Sequence, residues 1–267
     1  MPTHDRHIRN VLKLFDAHCY RHDRYALFSD CMELIAISIS NSVDRRCRDM
    51  REARYLEIVG RYDRSTVEMF PRIMGEITMA LEIGPGDVLG SIFTALEIHN
   101  KNRGQFFTPY PVCQMMAQVT LGDAKDARAL IEDKGFVSAM EPACGAGAMV
   151  IALAEAMLDA DINYQRHLHV TAVDIDSRAV HMAYIQFALL HIPAHVIVGD
   201  SLSQETREHW FTPAHILGGW NARLASQRQA SAQPVLAIPG NALARPTSEA
   251  IAPKAPAHPV GEQLTLF

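Results

Sequence analysis

The stretch Glu141-Pro142-Ala143-Cys144-Gly145-Ala146-Gly147 decides the fold of this chain. It follows a short apolar run, residues 136–140, and precedes residues 149–158, whose apolar side chains have helical spacing. A glycine-rich turn between a strand and a helix lets a ligand approach the backbone closely, because glycine carries no Cβ. By themselves, Gly145 and Gly147 would be interpreted as a plain tight turn.

Two further strands follow this turn. Residues 167–173 form a predicted strand that ends at Asp174, Ser177 begins a helix, and residues 195–198 form a strand that ends at Asp200. This alternation predicts a parallel sheet, whose ligands bind beyond the carboxyl ends of the strands. The glycine turn and both aspartates fall at such ends, so we expect them to form one site.

The acidic residues favour a nucleoside ligand. Asp174 can accept hydrogen bonds from ribose hydroxyls, with Asp176 as a second candidate, and Asp200 can accept from an adenine amino group. Outside this context each would be interpreted as a turn or cap residue. A nicotinamide oxidoreductase is disfavoured, because the turn lacks the third glycine of the G-x-G-x-x-G pattern.

Four segments together resemble one known family. They are Gly104-Gln105-Phe106-Phe107-Thr108-Pro109, the Glu141 to Gly147 turn, Val173-Asp174-Ile175-Asp176 and Gly199-Asp200-Ser201-Leu202. Their order and spacing are similar to those of adenine-specific N6 DNA methyltransferases, above all the modification subunits of type I restriction systems. The resemblance implies an α/β fold, a Rossmann-like S-adenosylmethionine-dependent methyltransferase core whose sheet can be incomplete, preceded by a helical N-terminal domain.

The resemblance also implies S-adenosylmethionine as the cofactor. Residues 106–109 would flank its methionine end, and residues 141–147 would line it. Asp174 would hold the ribose with Ile175 against the adenine ring, and Asp200 would face the adenine amino group with Ser201 beside it. The full set of implied cofactor-binding residues is Phe106, Phe107, Thr108, Pro109, Glu141, Pro142, Ala143, Cys144, Gly145, Gly147, Asp174, Ile175, Asp200 and Ser201.

The family's catalytic segment, Asn/Asp-Pro-Pro-Tyr/Phe, is not found in the sequence. Such a segment binds a flipped adenine. After Asp200 the chain instead has residues 210–220, Trp-Phe-Thr-Pro-Ala-His-Ile-Leu-Gly-Gly-Trp. No catalytic residue is therefore assigned. Three interpretations stay open: cofactor binding without methylation, a site completed by a partner chain, or an altered segment that uses His209, His215 or Trp220.

Three regions are predicted: a helical N-terminal domain (1–100), a methyltransferase-like cofactor-binding domain (101–222) and a flexible tail rich in Ala and Pro (223–267). The tail ends in Gln263-Leu264-Thr265-Leu266-Phe267. This peptide resembles those that bacterial DNA-replication and repair proteins insert into the sliding clamp, so Gln263, Leu264, Leu266 and Phe267 are candidate partner-binding residues. A chance apolar terminus is the alternative.

Composition and charge set broader bounds. The net charge of −5 gives no support for DNA binding, because a self-sufficient DNA-binding domain is usually basic. The arginines between Arg45 and Arg64 alternate with acidic residues, which predicts a solvated helix face with ion pairs; a phosphate-contacting face is the alternative. Five scattered cysteines indicate neither a disulfide framework nor a zinc site. The polar N-terminus and the lack of a long apolar run predict a cytoplasmic protein without a membrane span.

The function expected from all these features is methyl transfer from S-adenosylmethionine to the amino nitrogen of adenine in DNA, as in restriction-modification systems. The alternative is a catalytically inactive or partner-dependent S-adenosylmethionine-binding subunit of a DNA-modification or mobile-element system. A small-molecule or protein methyltransferase is less favoured, because of the Gly104 to Pro109 segment.

Overall fold

The computed structural model of the chain describes residues 4–96, 107–232 and 264–265, with the backbone alone for residues 230–232 and 264–265. Residues 4–96 are helical, as predicted for the N-terminal region. The helices there are α1 (Asp5–Asp16), α2 (Arg24–Val43), α3 (Arg48–Val59), α4 (Arg64–Glu82) and α5 (Val88–Ala95).

Three of these helices have an aspartate as their N-cap residue. Asp23 caps α2, Asp63 caps α4 and Asp87 caps α5, each by accepting a hydrogen bond from a backbone N–H of the first turn. The cap at Asp87 is also predictable from the sequence, because an aspartate stands directly before the apolar helical pattern that begins at Val88. Such caps satisfy N–H groups that have no partner inside the helix.

Because proline cannot donate a backbone hydrogen bond, Pro71 in the sequence predicts a break in the helical pattern, and this prediction is wrong. α4 runs through Pro71 to Glu82. Apolar residues on both sides of the proline, such as Phe70 and Ile73, are buried in the core. Their burial holds the helix together across a residue that cannot donate its backbone hydrogen bond.

α2 is the one described helix that is long and apolar enough to cross a membrane by length and composition. In the structure, 56% of its most apolar window is buried inside the protein. It packs against α3, α4 and α10 (Ser177–Leu189). These contacts account for its apolar composition without a membrane.

The second part of the chain alternates strands with helices. Its elements are α6 (Tyr110–Leu121), α7 (Lys125–Lys134), β1 (Val137–Glu141), α8 (Ala148–Asp159), α9 (Tyr164–His167), β2 (Leu168–Asp174), α10, β3 (Ala194–Asp200), β4 (Glu205–Phe211), α11 (Pro213–Leu217), α12 (Trp220–Ala232) and β5 (Leu264–Thr265).

The strands form a mixed sheet in the order β4-β3-β2-β1-β5. β1, β2 and β3 are parallel, as predicted. The glycine turn, Asp174 and Asp200 therefore lie at one edge of the sheet, beyond the carboxyl ends of these three strands. The predicted fold class, a helical N-terminal region followed by an α/β core with a parallel central sheet, is confirmed.

β4 was not predicted from the sequence. It pairs antiparallel with β3, so that Phe211 lies opposite His195 and Glu205 lies opposite Asp200. Its sequence, Glu-Thr-Arg-Glu-His-Trp-Phe, has no apolar alternation, because most of its side chains are exposed at the edge of the sheet. The pattern that identifies half-buried strands is therefore missing.

At the other edge, β5 adds two residues parallel to β1. Leu264 pairs with Ala139 and Thr265 pairs with Met140. The remainder of this edge of β1 has no strand partner among the described residues. β5 and most of α12 fall within the region 223–267, which the sequence predicts to be a flexible tail.

α11 and α12 cover part of the sheet near the amino ends of its strands. Trp220 is buried and contacts the rings of Phe136 and His169.

The buried Arg51 of α3 joins the helical region to strand β4 of the sheet. Its guanidinium donates to the His209 backbone oxygen (2.9 Å) and lies over the ring of Trp210 (4.0 Å).

Candidate cofactor site

The glycine turn connects β1 to α8 and requires glycine at two positions. Gly145 and Gly147 have φ values of 53° and 96°, in the region that favours glycine. A Cβ on Gly147 would lie 2.5 Å from the ring of Phe187, and a Cβ on Gly145 would lie 3.0 Å from the ring of Phe107. The tight turn places the first N–H groups of α8 at the carboxyl edge of the sheet.

Asp174 joins the end of β2 to this turn. Its Oδ2 accepts a hydrogen bond from the N–H of Gly145 (2.8 Å), and its Oδ1 accepts from the N–H of Asp176 (2.9 Å). The Cys144 N–H also donates to the Val173 carbonyl (2.8 Å). The carboxylate is thus held in one orientation, as a ribose-binding residue would require.

The second ribose candidate, Asp176, has a structural role in the described chain. Its side chain caps α10 by accepting from the Arg178 N–H (3.0 Å) and forms an ion pair with the Arg178 guanidinium. A carboxylate engaged in this way is less available to a ligand than that of Asp174.

Glu141 supplies a buried acceptor at the end of β1. It is 3% exposed, and its Oε1 accepts from the Ala143 N–H (3.1 Å). Its Oε2 is buried without a hydrogen-bond partner among the described residues. Burial raises the pKa of this carboxyl, and the charge of Asp174 adds to the effect. A buried polar atom without a partner is costly, so a ligand that donates to Oε2 would be favoured here.

Cys144 lies within the turn but is not a candidate nucleophile. Its side chain is buried, and burial raises the pKa of its thiol well above the usual value. A thiol, rather than a reactive thiolate, is therefore present at neutral pH. Pro142 is half-buried and Ala143 is exposed, so both can contact a bound molecule.

Phe107 forms a wall beside the glycine turn. Its ring packs against Phe93 (5.1 Å between centroids) and approaches Gly145. Thr108 and Pro109 follow and are exposed, and Pro109 is the residue at which α6 begins. The structure therefore brings residues 107–109 and the turn together, whereas Phe106 lies outside the described residues.

The other side of the site carries exposed apolar side chains. Ile175 is 65% exposed and Leu202 is 95% exposed. Asp200 turns its Oδ1 toward the N–H groups of Leu202 (2.9 Å) and Ser203 (3.4 Å), and these bonds lower its pKa. Ser201 lies beside it, half-buried. Arg207 of β4 donates to the Ile175 carbonyl, so the β3–β4 hairpin supports this wall.

Sequence reasoning missed Gln186, whose buried side chain is hydrogen-bonded to the backbone of the glycine turn. Its side chain is fully buried in α10 and donates to the Ala146 carbonyl (2.8 Å) and to Asp87 Oδ1 (3.1 Å). It also accepts from the Leu89 N–H (3.0 Å). The only available signal was a glutamine inside the apolar sequence Tyr-Ile-Gln-Phe-Ala, which does not identify its partners.

Residues 210–220, which one of the three interpretations treats as an altered catalytic segment, lie away from the predicted cofactor site. Because β4 runs back along β3, residues 211–220 lie near the amino ends of the strands, at the edge opposite Asp174 and Asp200. His215 bonds to His169 (2.9 Å) and to Asn221 (3.1 Å), and Trp220 is in the core. His209 faces His195, at 2.9 Å. These three residues do not join the predicted site.

The arginines of residues 45–64 mostly pair with acidic neighbours. Arg46 pairs with Asp44, Arg54 with Glu33 and Glu57, Arg61 with Glu57 and Asp30, and Arg64 with Glu68. The interpretation as a face of ion pairs therefore describes this stretch better than a phosphate-contacting face.

Within residues 4–96 and 107–232, no group of three or more His, Cys, Asp or Glu side chains is arranged to hold a metal.

The sheet thus places the glycine turn, Asp174 and Asp200 at one carboxyl edge, where the sequence predicts the cofactor site. Residues 86–218 match the family model of the N-6 DNA methylases. The predicted resemblance to this family is confirmed over that segment. The family implies S-adenosylmethionine as the cofactor, in agreement with the sequence-based expectation.

A solved structure from Listeria monocytogenes, assigned as a class I S-adenosylmethionine-dependent methyltransferase, is similar to the chain at 14% identity with a TM-score of 0.42. The similarity covers 75% of this chain and 55% of the Listeria chain, so this chain spans about half the length of that relative. No curated protein sequence matches the chain.

The residues at the edge fit this cofactor. Glu141 offers a buried acceptor that has no partner among the described residues, Asp174 offers a carboxylate held at the turn, and Ile175 offers an exposed apolar surface for a ring. A methionine ammonium, ribose hydroxyls and an adenine ring are the groups that such a set of side chains can bind.

Proposed function

We propose that this chain is the cofactor-binding module of an adenine-specific DNA methyltransferase, which transfers the methyl group of S-adenosylmethionine to the amino nitrogen of adenine. The observation that carries the proposal is the Asp174 carboxylate held by the Gly145 N–H, next to the buried acceptor of Glu141. The family match over residues 86–218 supports DNA adenine as the methyl acceptor.

In this proposal each residue at the edge has a binding role. Glu141 Oε2 accepts from the ammonium of the methionine moiety, and residues 106–109 flank that moiety. Asp174 holds the ribose, Ile175 contacts the adenine ring, and Asp200 with Ser201 faces the adenine amino group. When bound, S-adenosylmethionine supplies an electrophilic methyl group. The chain's own residues orient it and exclude water on the side of Phe107.

Calorimetry with S-adenosylhomocysteine tests the pocket. Asp174→Ala is expected to weaken binding at least about tenfold, because it removes charge-assisted hydrogen bonds to the ribose. Asp159→Ala is the matched control: it removes an exposed aspartate at the end of α8, far along the helix from the turn. Equal affinities of the wild type and Asp174→Ala would refute the ribose assignment.

A second candidate function is a subunit that binds the cofactor but depends on a partner for catalysis. Two observations favour it. The chain after β3 returns as β4, away from β1, and the free edge of β1 carries only the two residues of β5 among the described elements. In addition, Val112, Met115 and Val119 form an exposed apolar stripe on α6, which packs beside α8. A partner that adds strands at β1 would also cover apolar surface of this kind.

An assay with labelled S-adenosylmethionine and mixed-sequence DNA separates the two functions. Label in DNA with the purified chain alone would exclude the partner-dependent and inactive alternatives. Measured S-adenosylhomocysteine binding without any label in DNA would exclude a self-sufficient enzyme. Inclusion of protein and small-molecule acceptors in the same assay tests whether DNA is the substrate.

The remaining proposals concern context. We place the protein in the cytoplasm, in a restriction-modification or other DNA-modification system, with DNA contacted directly or through a partner. We also propose three regions: a helical domain (1–100), a cofactor-binding domain (101–222) and a tail (223–267).

The end of the tail is proposed to contact a sliding clamp through Gln263, Leu264, Leu266 and Phe267. Of these four residues, all but Leu264 lie outside the described residues. A pull-down with purified clamp and a Leu266→Ala, Phe267→Ala variant tests this contact.

A further inference from the structure

A second cleft lies at the opposite edge of the sheet from the cofactor site. It has a volume of about 630 Å³. Its walls come from residues that precede β2, from the turn before β3 and from the beginning of α12. These are the amino ends of the parallel strands, so the cleft is separate from the glycine turn and from Asp174.

The lining of this cleft is cationic. Arg166 and Arg223 contribute two permanent positive charges, and His167 and His191 contribute two imidazoles. No carboxylate is among the described residues that line it. This differs from the arginines between Arg45 and Arg64, most of which pair with acidic neighbours.

Arg223 is held by a ring contact and has no ionic partner within residues 4–96 and 107–229. Its guanidinium lies over the Trp220 ring (3.7 Å) and makes only long contacts to the Arg166 carbonyl (3.4 and 3.5 Å). Partial burial lowers the pKa of this guanidinium, and no carboxylate of the described residues offsets the effect. A stacked guanidinium is pre-organised, so less side-chain entropy is lost when it binds an oxyanion.

His167 presents a second oriented donor or acceptor. Its Nδ1 donates to the Gly135 carbonyl (3.0 Å), and Nε2 has no hydrogen-bond partner among the described residues. Arg166 is exposed, and its side chain has no hydrogen bond or ion pair among the described residues. Leu217, which is 72% exposed, adds an apolar surface at the side of the cleft.

We infer that this cleft is an anion-binding site that takes a phosphate group, with Arg166 and Arg223 as its charged ligands. A guanidinium group matches phosphate oxygens in geometry and charge, and both arginines line the same cleft with no carboxylate partner among the described residues. The phosphate has two sources, a free phosphate compound or the backbone of DNA. The site lies away from the cofactor edge and does not depend on methyl transfer.

Two binding experiments on the full chain test the inference. Isothermal titration calorimetry measures inorganic phosphate, and fluorescence anisotropy measures a labelled mixed-sequence duplex at several salt concentrations. Arg166→Gln is the decisive variant, since this exposed side chain supports no described contact. Arg223→Gln is the second variant. Arg72→Gln, an exposed arginine on α4, is the matched control for the loss of one positive charge.

We expect Arg166→Gln to weaken phosphate binding about tenfold while Arg72→Gln leaves it unchanged. If DNA is the source, Arg166→Gln also reduces the slope of log affinity against log salt by about 0.9. If a free phosphate compound is the source, that slope does not change. The inference is overturned if phosphate and DNA bind Arg166→Gln, Arg223→Gln and wild type equally, or if Arg72→Gln has the same effect as Arg166→Gln.

Discussion

Replacement of Gln186 by methionine tests whether the glycine turn is held by the hydrogen bonds behind it. Methionine has a similar length but makes none of the three hydrogen bonds that join Gln186 to Ala146, Asp87 and Leu89. Each net hydrogen bond contributes about 1 kcal/mol, and a buried group left without a partner costs about 1–3 kcal/mol. We therefore expect Gln186→Met to lower the free energy of unfolding by about 3 kcal/mol.

Urea denaturation followed by circular dichroism measures this change, and calorimetry with S-adenosylhomocysteine measures the effect on the pocket. Because the Ala146 carbonyl belongs to the turn, cofactor affinity should fall together with stability. Gln165→Met is the control: its side chain is exposed and bonds to the Leu190 carbonyl, at 3.2 Å, instead of to the turn. An unfolding midpoint equal to that of the wild type would refute the reasoning. So would an unchanged cofactor affinity in a protein that is destabilised as expected.

Three further predictions concern the core. Gly147→Ala should lower the melting temperature, because alanine at φ 96° costs about 1–2 kcal/mol and its Cβ would clash with Phe187; an unchanged calorimetric melting temperature contradicts this. Trp220→Ala should cost about 3–5 kcal/mol in urea unfolding, since the side chain is buried. Burial lowers the pKa of His169 to about 3 and of His195 to about 4. The contribution of these two neutral histidines to the free energy of unfolding should therefore be fully present above about pH 6.5 and decrease as pH falls toward about 3–4. Measured by urea unfolding at several pH values, His169→Phe should show a smaller decrease than the wild type.

The parallel core was predictable because its signals are local. β1, β2 and β3 are short apolar runs that each end at a turn or an acidic residue, and α8 and α10 have helical apolar spacing. The position of Asp174 beside Gly145 also followed from the sequence, since parallel strands place their carboxyl ends at one edge. These predictions depend on residues that are neighbours along the chain or along one edge of the sheet.

The features that were missed depend on long-range contacts. β4 is polar because it lies at an edge, so no alternation identifies it. α4 continues through Pro71 because tertiary burial outweighs the cost of the proline. Gln186 is recognisable as a support only when Asp87, Leu89 and Ala146 are brought around it. The path of residues 205–220 back to the amino edge could not be deduced from composition, because it is set by the direction of β4.

The pairing of Leu264 with Ala139 has a consequence for the order of folding. These residues are far apart in sequence, so their contact carries a large loop-closure entropy, whereas β1, β2 and β3 are linked by short crossovers. β5 should therefore dock after the central strands have formed and should separate from them first. Hydrogen exchange would show this as early exchange of Leu264 and Thr265, while the amides between β1 and β2 remain protected until the whole core opens. Such a strand can detach under native conditions at a small energetic cost and leave the fold of the remaining sheet intact.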